Sequence, residues 1–100
     1  MAEHKVAKSS AIANGTGQIF ELEGKKIAIF NVDGNFFAID NTCKHKGGSL
    51  GDGSVENKTV TCPLHRWQYD VTTGQCLANP EVQLATYSVT VEGDDITLVI

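Results

Sequence analysis

One hundred residues with 41% hydrophobic and 20% charged side chains suit a single domain with one modest core, and this is too apolar a mix for intrinsic disorder. Twelve acidic against eight basic residues leave a formal charge of −4, which excludes a general nucleic-acid binder, since that needs a basic face. No apolar run approaches the ~18 residues of a membrane helix, Met1–Lys5 shows no secretory leader, and three cysteines build no disulfide framework, so a cytoplasmic location is expected.

The expected elements are β almost throughout. Val6–Ile12 is weakly helical at best. Gln18–Leu22 has apolar residues at 20 and 22 and runs into a Glu23-Gly24 turn. Lys26–Phe30 contains the run IAIF, rich in β-formers. Asp33-Gly34 is a strong hairpin signal, so Phe36–Ile39 is read as the returning strand. Near the far end, Thr86–Val91 alternates, with Tyr87, Val89 and Val91 on one face. A turn at Glu92–Asp95 then leads into Ile96–Ile100 and closes a second hairpin. The pattern predicts an all-β domain over residues 1–100.

Between the hairpins the composition changes. Cys43–Arg66, CKHKGGSLGDGSVENKTVTCPLHR, holds four of the ten glycines, which implies tight turns or close backbone approach rather than a long strand. Lys44, Lys46, Lys58 and Arg66 oppose Asp52 and Glu56, a local balance of +2 that leaves −6 on the rest of the chain, given the total of −4. Two cysteines and two histidines fall in this segment, as Cys43-x-His45, sixteen residues, then Cys62-x-x-His65. Thiolate and imidazole suit zinc and iron. Structural zinc normally takes Cys-x(2–4)-Cys knuckles. Mixed Cys/His knuckles suit instead a binuclear centre in which one iron takes both thiolates and the other both imidazoles. A zinc-stabilised binding module is the competing reading.

Cys43-Lys44-His45-Lys46-Gly47-Gly48 and Cys62-Pro63-Leu64-His65 resemble the two boxes of the Rieske [2Fe–2S] family. The stretches IAIFNVDGNFFAIDNTC and CPLHRWQYDVTTGQC resemble its small ferredoxins. The resemblance implies a Rieske-type antiparallel β-sandwich with a small, loop-rich cluster-binding subdomain at about residues 42–80. It implies one [2Fe–2S] cluster per chain, with Cys43 and Cys62 on one iron and His45 and His65 on the other. Two ferric ions, two sulfides and two thiolates carry no net charge, so adding an electron costs less than with four thiolates and the potential rises. The implied function is one-electron transfer by a monomer, without catalysis of its own, from a flavin-dependent reductase to the terminal oxygenase of an aromatic-ring-hydroxylating system. A Rieske-like small subunit of an assimilatory nitrite reductase is the alternative.

Departures from the high-potential members refine this expectation. Gly48 and Leu64 stand where those proteins carry a disulfide. Trp67 replaces a serine that hydrogen-bonds a bridging sulfide, while Tyr69 matches a tyrosine whose hydroxyl bonds a cysteine sulfur. The implied potential is near the low end of the Rieske range, about −150 mV. Lys44, Lys46 and Arg66 are read as a basic collar which, with Leu64, docks an acidic partner. Pro80 resembles part of a third loop that shields the cluster, though turn punctuation explains it equally well. Tyr69 suits a strand core as readily as a tuning role. Cys76 is expected to be structural, and His4 to sit inertly in a frayed terminus.

Overall fold

A computed structural model describes residues 3–42, 48–63, 66–77 and 79–100. Among them are nine strands, β1 Glu3–Lys8, β2 Gly17–Leu22, β3 Lys25–Val32, β4 Asn35–Asp40, β5 Ser54–Glu56, β6 Thr59–Thr61, β7 Gln68–Asp70, β8 Thr86–Glu92 and β9 Asp95–Val99. The only described helices are short 3-10 turns at Ser9–Ala11 and Leu50–Asp52, and no described helix is long and apolar enough to cross a membrane. The strands pair antiparallel in a six-stranded sheet of order β1-β9-β8-β4-β3-β2 and a three-stranded sheet of order β5-β6-β7.

The run IAIF is continuous because β3 is buried on both faces. Ile27 and Ile29 join Ile12, Ala38, Ile96 and Leu98 in one core. Ala28, Phe30 and Val32 point the other way, into a second core with Ile39, Leu50, Val55, Val60, Cys62, Tyr69, Val71, Cys76 and Leu84. β3 and β9 are not neighbours in the sheet, so their shared core requires the sheet to curl over it. His4 of β1, with Nε2 3.1 Å from Glu23 Oε2 in the turn after β2, ties the two edges of that sheet together. The second core lies between the large sheet and the small one, and the cluster-loop sequence leads into it.

Both expected hairpins form. They are β3–β4 and β8–β9; the β2–β3 and β3–β4 turns, Glu23-Gly24 and Asp33-Gly34, have positive φ at both residues, the geometry whose twist matches paired strands. On β8 the expected face holds at Tyr87 and Val89, which pack on the first core, and fades at Val91, which is exposed.

Two expectations are corrected. Val6–Ile12 is not a weak helix throughout: Glu3–Lys8 pairs with β9, and only Ser9–Ala11 is helical, as a single 3-10 turn. Between Lys5↔Thr97 and Ala7↔Ile96 the register shifts, which places Val6 in a bulge. The bulge breaks the period-2 alternation that would have revealed the strand. His4 is not frayed, since it lies in β1 opposite Leu98 and contacts Glu23.

Tyr87 joins the last strands to the end of β4. Its hydroxyl donates to Asp40 Oδ1 at 2.6 Å, and Lys25 Nζ lies 5.8 Å from the ring centre. Burial, then the bond to Asp40, push the Tyr87 pKa from 10.0 up to about 12. The folded state therefore keeps a proton that the unfolded chain gives up. This contribution is complete below the unfolded value and is lost as pH rises from about 10 to about 12. Thermal unfolding across that window should show the loss in the wild type and not in Tyr87→Phe.

Candidate metal centre

The described residues on either side of the first Cys/His box are held close together. Asn41, just past β4, donates its backbone N–H to Lys26 O at 2.9 Å and accepts Leu50 N–H at 2.8 Å. Thr42 and Ser49 form an antiparallel bridge, and Gly51 N–H donates to Asn41 Oδ1 at 2.7 Å. Gly48 and Leu50 are buried. A side chain at Gly53 would collide with Thr61 O. This close approach sets the exit of the first loop against β6, directly before Cys62, and so brings the two loops together.

The second loop grows from the β6–β7 hairpin. Thr61↔Gln68 is its last ladder pair, and Cys62 N–H donates to Trp67 O at 2.7 Å. Arg66 N–H donates to Cys62 O at 3.0 Å, and Arg66 holds φ +60° with its side chain exposed. Cys62 itself is 1% exposed. Trp67 is half-buried against the second core. Tyr69 is fully buried, opposite Val60 and bridged to Cys76.

A third segment abuts the second loop through Leu77 N–H to Gln68 O, 2.8 Å. Pro80 sits exposed in a turn closed by Val82 N–H to Asn79 O, 2.9 Å. Cys76 is fully buried in the second core, and neither it nor Cys62 forms a disulfide. Cys43, Lys44, His45, Lys46, Leu64 and His65 lie outside the described residues.

Sequence reasoning missed two parts of this frame. The three-stranded sheet consists of three-residue strands, each with one buried residue (Val55, Val60, Tyr69), too short for an alternation to register. Its signal was the Asn57-Lys58 turn, with φ +51° and +65°, which is a two-residue hairpin loop without the usual glycine. The other omission is Asn41, which has no motif of its own.

The donor set can be tested against a cluster. Cys62 offers a sulfur donor in a buried position between two loop stems that converge on one core. Two thiolates with two imidazoles are the ligands of a mixed [2Fe–2S] centre, in which the cluster accepts and releases one electron. Cys62, the expected donor that lies among the described residues, is therefore placed as a thiolate ligand of such a group would be.

Residues 2–88 match the Rieske [2Fe-2S] domain family. The chain is 38% identical over 78 residues to the ferredoxin component of a naphthalene 1,2-dioxygenase system of Pseudomonas aeruginosa, covering 77% of this chain and 75% of that protein. It is 39% identical over 97 residues to the biphenyl 2,3-dioxygenase ferredoxin component of Rhodococcus jostii, covering 96% and 91%. Among solved structures, the carbazole 1,9a-dioxygenase ferredoxin of Nocardioides aromaticivorans superposes with a TM-score of 0.90 at 28% identity, covering 98% of this chain and 97% of that one. A complex of reduced oxygenase and oxidised ferredoxin from a carbazole 1,9a-dioxygenase matches at TM-score 0.87 and 28% identity, with 96% and 91% coverage. A candidate nitrite reductase small subunit of Mycobacterium tuberculosis matches at TM-score 0.90, covering 97% and 93%, but its 22% identity speaks for the fold alone. Similarity across the whole fold, on a frame that presents a buried cysteine at the second box, replaces the zinc reading: the chain belongs to the Rieske [2Fe–2S] family, in its ferredoxin branch, and is an electron carrier rather than an enzyme.

Proposed function

We propose that this chain, as a cytoplasmic monomer folded as one domain, carries single electrons from a flavin-dependent reductase to the terminal oxygenase of an aromatic-ring-hydroxylating system. The observation that carries this reading is the pair of framed loops, the second holding Cys62 buried at its base. In it, Cys43 and Cys62 hold one iron and His45 and His65 the other. Trp67 and Tyr69 set a potential near the low end of the Rieske range, about −150 mV, because one sulfur-directed hydroxyl is replaced and one kept. Pro80 stiffens the third segment, and Lys44, Lys46, Leu64 and Arg66 form the docking surface. The oxygenase–ferredoxin complex among the similar structures supports the choice of acceptor.

Iron and sulfide analysis combined with EPR of the dithionite-reduced protein tests the ligand set. About two irons and two acid-labile sulfides per chain are expected, with an average g below that of four-cysteine ferredoxins. An average g equal to theirs, or a colourless protein holding one zinc, refutes it.

A further inference from the structure

We propose that Asn41 is a positioning residue for the cluster, the residue that closes the neck of the first ligand loop; this rests on the reading of Cys43 and His45 as ligands. Asn41 is 4% exposed. A buried amide is tolerated only when its polar atoms are satisfied, and among the described residues the side-chain partners of Asn41 lie at one place in the chain. Oδ1 accepts Gly51 N–H at 2.7 Å, and Nδ2 donates to Ser49 Oγ at 3.0 Å. Its backbone carbonyl accepts Leu50 N–H at 2.8 Å, and its own N–H reaches Lys26 O on β3 at 2.9 Å. One residue thus fastens the outgoing strand of the loop to three consecutive residues of the return, and fastens both to the large sheet.

The fit is tight on the other side as well. A Cβ at Gly51 would collide with Ile19 and lie 3.0 Å from Asn41 Oδ1, so a bare backbone N–H is what the carboxamide meets. Between the two sides of this neck lies a short segment rich in lysine and glycine, with little apolar surface of its own to fix it. Metal ligands must be held to within about 0.5 Å, and groups behind them normally supply that. Asn41 supplies it here by fixing where the loop begins and ends.

Asparagine is specifically suited, since it both accepts from Gly51 and donates to Ser49. Aspartate keeps the acceptor for Gly51 N–H, and the Ser49 hydroxyl can rotate to donate to it. Alanine keeps neither contact and leaves the buried Gly51 N–H without a partner.

The test is the rate at which the oxidised holoprotein loses iron to excess chelator, read together with the EPR line shape after reduction. Asn41→Ala should lose iron about tenfold faster than wild type, with broadened g-features, whereas Asn41→Asp stays within about threefold. Ile29→Ala, which opens the core away from the loops, is the control for lost stability. It should leave iron loss below the threshold of unfolding, and the line shape, unchanged. Should Asn41→Ala not fold, Ser49→Ala, which removes the Ser49 hydroxyl contacts and keeps the Gly51 N–H bond to Oδ1, should still release iron about threefold faster. The inference is overturned if the Asn41 and Ser49 variants release iron no faster than Ile29→Ala, or if Asn41→Asp behaves like Asn41→Ala. A wild type without mixed-ligand EPR overturns instead the ligand reading beneath it.

Discussion

Cys62→Ser should yield a protein without a cluster, with visible absorbance and the reduced EPR signal both lost and iron below about a tenth of the wild-type content. Serine is nearly isosteric, so the loss follows from chemistry rather than shape. A hydroxyl is a harder donor than a thiol and holds its proton far more strongly. Cys62 sits at 1% exposure among Phe30, Val60 and Tyr69, where an oxygen finds no compensating solvent. Cys76 supplies the contrast, being equally buried in the same core but outside both boxes. Cys76→Ala should keep full iron and cost on the order of 1 kcal/mol of stability through the small cavity it leaves. Full iron in Cys62→Ser, or its loss in a folded Cys76→Ala, would reverse the assignment of ligand and bystander.

Neutralising Lys44, Lys46 and Arg66 together to Gln should slow electron transfer with the redox partner about tenfold or more at low ionic strength. The difference should shrink towards nothing near 1 M salt, where the screening length is about 3 Å. The sequence charge pattern favours such steering, because residues 43–66 sum to +2 and the rest of the chain to −6. Arg66 adds a second line of argument. Its φ of +60° is a left-handed conformation that costs a side-chain-bearing residue about 1 kcal/mol and glycine almost nothing. An exposed arginine kept there at that expense points to a use outside the fold. Arg66→Gly should therefore raise stability by up to about 1 kcal/mol while slowing partner reduction at low salt. Stopped-flow kinetics over a salt series, alongside thermal unfolding, check both parts. Transfer rates that are equal to wild type at every salt concentration would rule out the collar.

The structure corrects the sequence reading wherever a local pattern was broken or too short. Glu3–Lys8 hid its strand because the bulge at Val6 puts neighbours out of phase. The small sheet hid because three-residue strands show no period. Asn41 hid because nothing in the sequence separates a buried, hydrogen-bonded asparagine from a solvated turn residue. Its role exists only through Gly51, Ser49 and Lys26, which are brought to it by the fold.

By itself, the sequence determined what is written in neighbouring residues. The apolar run of β3, the Asp33-Gly34 hairpin and the mixed Cys/His boxes are short-range signals, since strand period, turn geometry and donor chemistry are properties of a few adjacent side chains. Only the tertiary structure decided that β3 is buried on both faces, that Gly53 packs against Thr61 next to Cys62, that Tyr69 and Cys76 are core, and that Asn41 bonds to Ser49, Leu50 and Gly51. Each of those depends on residues distant in the chain meeting in space, and burial and hydrogen-bond partnership do not exist until they meet.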